Sequence, residues 1–212
     1  MSARYEDVIG SLRESYDAGA VERDGRPKDP WKIEERAAFL ERLRAGETGT
    51  VRLLEIGAGP GTDSLFFHQQ GLQVVASDLS PGMVAKCREK GLEAHVSGFL
   101  DLGRTFPAES FDAVYALNCL LHVPDADLPA VLETVRRLVR PGGLVFVGVY
   151  GGDGTEGVIE NDSHTPPRFF SWRTDEQIQR FAGASFDIED FHTRPAGDFR
   201  FQSLTLRRGR LS

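Results

Sequence analysis

Short apolar runs alternate along the middle of the chain with segments whose apolar residues recur at helical spacing. The runs at 51–56, 72–77, 93–97, 112–117 and 143–149 predict strands, and 62–70, 81–90 and 127–139 predict helices. Pro81 sits well as a first helical residue behind Ser80 as cap, and Pro141-Gly142-Gly143 stops the third helix and turns into the next strand. Such alternation predicts a doubly wound parallel sheet with right-handed crossovers. Ahead of it, Tyr5, Val8, Ile9, Leu12 and Tyr16 mark a helical lead-in over 1–20. Asp24 to Pro30 breaks it, and a second helix begins near Trp31. Past Tyr150 the periodicity fades until a helix at 174–182 and strands at 184–192 and 199–208, joined as a hairpin through Pro195-Ala196-Gly197-Asp198.

The first strand carries the most information. Val51-Arg-Leu-Leu-Glu-Ile-Gly-Ala-Gly-Pro-Gly-Thr-Asp63 reads as strand, glycine turn and helix start. Gly57, Gly59 and Gly61 would let the backbone turn sharply and approach a ligand, with Thr62 or Asp63 capping the next helix. Glycines alone do not distinguish this from a turn that binds nothing. Two acids do more. Glu55 lies inside the apolar run, where an unpaired carboxylate is costly, and Asp78 ends the second run, where a nucleoside ribose presents its hydroxyls.

Composition narrows the class. The chain has 212 residues with 25 basic against 32 acidic side chains, a net charge of −7. That balance does not favour a nucleic-acid partner. Arg136, Arg137 and Arg140, and Arg207, Arg208 and Arg210, read as solvated charge. Cys87 and Cys119 lack metal-ligand neighbours at useful spacing, so no metal is expected. No secretory leader or spanning helix is seen, and a cytoplasmic enzyme is the expectation.

Leu53-Leu-Glu-Ile-Gly-Ala-Gly-Pro-Gly-Thr62 with Val74-Val-Ala-Ser-Asp-Leu-Ser-Pro-Gly-Met83 resembles the cofactor motifs of class I S-adenosylmethionine-dependent methyltransferases. The likeness extends through Ser110-Phe-Asp-Ala-Val-Tyr115 and Arg140-Pro-Gly-Gly143, covering roughly 50–150. A dinucleotide-binding unit is the nearest rival, but it usually spaces its third glycine one position later, where Thr62 stands. The resemblance implies a seven-stranded sheet, mostly parallel with an antiparallel last strand and helices on both faces. It implies a single domain over 1–212: an amino-terminal helical lid (1–48), a cofactor core (50–150) and a substrate-side loop with terminal hairpin (151–212). S-adenosylmethionine would be the cofactor, S-adenosylhomocysteine the product, and a small molecule the acceptor, through O, N or C.

By the same resemblance, Gly57, Ala58, Gly59 and Gly61 pass under the amino-acid portion of the cofactor, with Glu55 near its amine. Asp78 accepts from both ribose hydroxyls, and Leu79 and Met83 touch the adenine, although Met83 would equally serve as core packing. Many relatives carry an acid near Gly98; here Phe99 and Leu100 are the expected adenine contacts, with Asp101 a displaced acid. Asn118 and Cys119 occupy the end of the fourth strand. His122 is the general-base candidate, or else a residue that packs the loop. Tyr5, Tyr16, Trp31 and Arg36 are candidates for the lid. Tyr16 is a substrate candidate, as are Tyr150, His164 and Arg168 within a rim segment over 150–172 that also holds Glu156, Glu160 and Asp162.

Overall fold

The computed structural model describes residues 3–46, 49–159 and 161–210; Glu160 lies outside them. The central sheet grows from strands whose two faces are both apolar. In β1 (Arg52–Ile56), Leu53 faces Phe39, Leu43 and Phe67, while Leu54 and Ile56 face Val131, Leu132 and Val135. The period-two split of one short run onto two cores is what a parallel strand buried on both sides requires. Beside β1 lie β2 (Gln73–Asp78), β3 (Glu93–Val96), β4 (Phe111–Leu117) and β5 (Val139–Gly151). Two further strands, β6 (Thr155–Val158) and β7 (Phe169–Trp172), pair with each other alone. The chain ends with β8 (Asp187–Ala196) and β9 (Phe199–Arg207).

The seven-stranded order is β3-β2-β1-β4-β5-β9-β8. The first five strands pair in parallel, and β9 runs antiparallel to both neighbours. Expected strands and helices recur within a few residues of their predicted ends. The β8–β9 turn narrows to Gly197-Asp198, with Gly197 at φ +66°.

Helices α1 (Tyr5–Ala18), α2 (Ala20–Asp24) and α3 (Pro30–Gly46) precede the sheet. Helices α4 (Thr62–Gln69), α5 (Pro81–Glu89), α6 (Leu102–Thr105), α7 (Leu128–Leu138) and α8 (Asp175–Gly183) follow in order. Both α3 and α4 cover one face of the sheet, and α7 and α8 the other.

Three local expectations are corrected. Neither Thr62 nor Asp63 caps α4: Gly61 occupies that position in a left-handed conformation, and Asp63 is buried in ion pairs instead. Residues 155–158 and 169–172 form a small antiparallel sheet where no periodicity was visible, because each strand is only four residues long. Arg208 is not solvated; it is buried, donating to the Val139 and Arg136 carbonyls and to Glu109.

Helix α1 is fastened at both ends across the carboxyl rim of the sheet. At its start, Asp127 accepts from the Tyr5 amide at 2.7 Å and pairs with Arg4. At its end, Asp17 accepts from Ser80 Oγ at 2.5 Å and from the Gly82 amide at 2.7 Å. These partners follow β4 and β2, so the helix bridges the loops where a ligand of this fold class would lie.

The loop after β4 is held from below by Arg173, whose side chain is 1 % exposed. Its guanidinium donates to Asp125 Oδ1 at 2.7 Å, to the Leu120 carbonyl at 3.2 Å and to the Val123 carbonyl. Removing Asp125 would leave a buried cation without its counter-charge. Asp125→Ala is expected to lower unfolding stability by on the order of 3 kcal/mol in urea titration, with Arg173→Met costing less because it removes the charge as well.

Candidate active site

A cavity of about 400 Å³ lies under α1, at the carboxyl ends of β1, β2 and β4. A wider groove of about 590 Å³ near Trp172, Asp175 and Phe199 shares no residue with it. The inner cavity brings together Glu55, Gly57, Ala58, Gly59, Asp78, Leu79, Phe99, Asn118, Cys119, Tyr16 and His122, which the chain carries on α1, on the ends of β1 and β2, and on the segments that follow β1, β2, β3 and β4.

The glycines of the first turn have different duties. All three have positive φ. A Cβ on Gly57 would stand 2.3 Å from Cys119 Cβ, and one on Gly61 2.8 Å from Cys87 Sγ, so these two are required by packing against the neighbouring loop and helix. At Gly59, with φ +55°, a Cβ would meet no protein atom within 4 Å. There the space beside the turn is open, where at Gly57 and Gly61 it is filled by protein.

Asp78 completes this cradle. Its Oδ2 accepts from the Gly59 amide at 2.8 Å and its Oδ1 from the Ser80 amide at 2.9 Å. Each oxygen keeps a second acceptor site. Burial pushes its carboxyl above the usual range, against the pull of these two amides. Asn118, at φ 52°, carries a buried Oδ1 with no hydrogen-bond partner among the described residues. Glu55 receives the Ser64 hydroxyl, and burial beside Asp63 raises its carboxyl well above the ordinary range. A cation entering here would restore its charge. Pairs of hydroxyls for Asp78, a donor for Asn118 and an ammonium for Glu55 are what a ribose-bearing amino-acid cofactor offers, so the residues fit S-adenosylmethionine.

Opposite the cradle sits a defined proton path. His122 Nδ1 lies 2.7 Å from the Phe169 carbonyl, which can only accept, so Nδ1 carries the proton. Nε2 is then a lone pair, and it receives the Tyr16 hydroxyl at 2.5 Å. Burial lowers His122 to about 3 and raises Tyr16. Arg168 Nη1 reaches Tyr16 Oη at 3.3 Å, and Asp162 holds Arg168 by two oxygens at 2.7 and 2.8 Å. His164 completes the group, its ring centroid 6.0 Å from that of Tyr16.

Other candidates lie elsewhere. Met83 is fully buried, because the Ser80 cap accepts from its amide and turns that face of α5 inward. Leu100 is 43 % exposed; the turn at 99–101 points Phe99 inward, stacked on Tyr5 at 5.7 Å, and Leu100 outward. Tyr150 pairs with Phe201 across β5 and β9 and packs against Trp31, away from His122. Of the lid candidates, Tyr5 and Tyr16 wall the cavity, Trp31 packs on Phe201 at 4.5 Å, and Arg36 pairs with Asp63 at 2.8 Å. The glycine at 98 has a structural reason: a Cβ there would stand 3.0 Å from Ile9 Cδ1 of α1. The residues alone did not single out Arg23 and Lys28, both lining the cavity, because Lys28 lies in the helix break and Arg23 at its edge, with no motif around either.

Residues 53–143 match the family described as a methyltransferase domain. Among curated proteins, a ubiquinone biosynthesis O-methyltransferase from Xanthomonas oryzae is 32 % identical over 138 residues, covering 62 % of this chain and 54 % of that protein. The chain thus spans about half the length of the first such relatives. An uncharacterised methyltransferase of Schizosaccharomyces pombe is 30 % identical over 183 residues, covering 79 % and 69 %. Among solved structures, the DhpI–SAH complex is 28 % identical with a TM-score of 0.66, covering 95 % and 97 %. The Burkholderia thailandensis 1,6-didemethyltoxoflavin-N1-methyltransferase shares the fold at a TM-score of 0.74 and 22 % identity, covering 99 % and 92 %.

The two kinds of glycine separate by substitution. Gly59→Ala is expected to fold and to lose cofactor affinity by tenfold or more in calorimetry, whereas Gly57→Ala is expected to lose stability first, seen as a lowered melting temperature. For His122, the folded value near 3 lies below the ordinary 6.5, so its contribution is intact above about pH 6.5 and is lost as pH falls toward 3. Between pH 7.5 and 5 the wild type should therefore lose about 2 kcal/mol more stability than His122→Asn, measured by urea unfolding. With its motifs, sheet order and relatives in agreement, the chain belongs to the class I Rossmann-like methyltransferase family.

Proposed function

We propose that the protein transfers a methyl group from S-adenosylmethionine to a hydroxyl of a small molecule. The observation that carries this reading is the Tyr16–His122 pair, with its Nε2 lone pair fixed, facing the same cavity as the Asp78–Gly59 cradle. Asp78 would take the ribose hydroxyls, Glu55 and Asn118 the amino-acid portion, and Phe99 and Leu79 would border the adenine. When bound, the cofactor supplies a methyl group on a positively charged sulfur that becomes neutral on transfer.

The chain positions the acceptor and manages its proton. Tyr16 Oη accepts the proton of the incoming hydroxyl as its own passes to His122 Nε2. Burial makes the imidazolium costly, so this transfer is favoured only as positive charge leaves the cavity. An oxygen acceptor is the choice that uses the lone pair, and the name of the Xanthomonas relative as an O-methyltransferase supports it. The amino-terminal residues 1–48 would act as the lid of a single domain, a role supported by the fastening of α1 at both ends.

Calorimetric titration with S-adenosylmethionine, S-adenosylhomocysteine and NADH tests the reading. Micromolar binding of both adenosyl ligands and none of NADH is expected. Asp78→Ala should weaken S-adenosylhomocysteine by about 1–3 kcal/mol, roughly five- to 150-fold. NADH binding alone, or an Asp78→Ala variant of unchanged affinity, would overturn it.

A further inference from the structure

The chain is acidic overall, yet the mouth of the cavity is cationic. Arg23, Arg26, Lys28 and Lys32 line it, and Arg168 stands behind Tyr16. Four of these five have carboxylate partners: Arg26 pairs with Glu22, Lys28 with Asp63, Lys32 with Asp29 at 2.8 Å, and Arg168 with Asp162. Arg23 differs. Among the described residues its polar contact is with His164 Nε2 at 3.2 Å, and its guanidinium lies 4.9 Å from the centre of the Tyr16 ring.

Neither contact cancels its charge. His164 is pushed below its ordinary value, by burial first and by the field of Arg168 next, so it meets Arg23 as a neutral ring. Asp78 senses Arg23 electrostatically, but its oxygens are already turned to the Gly59 and Ser80 amides. Among the described residues Arg23 makes no ion pair, Glu22 being turned to Arg26, and a half-buried guanidinium without a paired carboxylate at the wall of a ligand cavity is a cost unless a ligand supplies the charge.

The position separates Arg23 from the amino-acid end of the cofactor site. Lys28, Asp63 and Arg36 gather there beside Glu55, whose field includes Lys28. The charge of Arg23 is instead felt at Tyr16, His122 and Asp78. It borders the place where the accepting hydroxyl would stand.

Resting on the methyl-transfer reading above, we infer that the acceptor is an anion: a small molecule whose hydroxyl meets Tyr16–His122 while a carboxylate or phosphate on the same molecule pairs with Arg23. Guanidinium is suited to either group through two parallel N–H donors. Arg23 is thereby a specificity-determining residue, and its carriage on the five-residue α2 between two longer helices places it at the entrance. The His164 lone pair, receiving an Arg23 N–H, helps to orient it.

The test uses the full chain saturated with S-adenosylhomocysteine, titrated calorimetrically with 3,4-dihydroxybenzoate, its methyl ester and 2-hydroxyphenyl phosphate at fixed ionic strength. At least one anionic probe should bind tenfold or more tightly than the neutral ester, and which one does so tells carboxylate from phosphate. Arg23→Gln should abolish that preference and Arg23→Lys should keep part of it, while S-adenosylhomocysteine affinity stays within about twofold. An ester that binds as well as both anions would overturn the inference, as would the absence of anion binding at millimolar concentration. If Arg23→Gln weakens S-adenosylhomocysteine tenfold and leaves the preference intact, Arg23 reads the cofactor instead. Failure of S-adenosylhomocysteine to bind the wild type would sink the methyl-transfer reading itself, and this inference with it.

Discussion

The fastening of α1 across the strand tips is the constraint on which the site depends. Asp127 holds its first turn and Asp17 its last, each through a backbone amide and a side-chain donor or cation. Between those two points the helix spans the loops after β4, β3 and β2. It brings Tyr5 onto Phe99, Ile9 onto Gly98 and Tyr16 onto His122. Without it the cavity would have no roof and His122 no hydroxyl partner.

Burial then sets the chemistry inside. The same exclusion of water that keeps His122 neutral with its lone pair free also raises Glu55, Asp78 and Tyr16 toward their uncharged forms. The cavity thus holds buried acids at its floor and several cations at its mouth. A ligand bearing an ammonium or a sulfonium gains from the acids, and an anionic partner gains from Arg23. Electrostatic complementarity of this kind orients two ligands in opposite senses within one cavity.

Much of this was legible in the residues. The short continuous apolar runs marked five parallel strands because both faces of a parallel strand are buried, and the acids at the ends of β1 and β2 marked the rim. Glycine identity was legible too, but its division of labour was not: Gly57 and Gly61 answer to Cys119 and Cys87, which are distant in sequence. Met83 took the packing role of its two readings and Leu100 faces outward, because a cap and a single tight turn fix rotation, which spacing alone leaves open. Tyr150 was drawn to Phe201 by the register of an antiparallel strand added late in the chain. Arg208 looked like ordinary surface charge and Arg23 carried no signal, since their environment is made by residues far away in sequence. Beside Gly98, the side chain of Ile9 from α1 leaves little room for a larger residue, a contact made by a helix far away in sequence.

The most direct measurement of the central claim is a crystal structure of the chain bound to S-adenosylhomocysteine. The account predicts both ribose hydroxyls on the Asp78 carboxylate, the backbone of Gly59 against the ligand, and the sulfur facing the Tyr16–His122 pair. A ribose bound away from Asp78, or a sulfur turned from Tyr16, would contradict it.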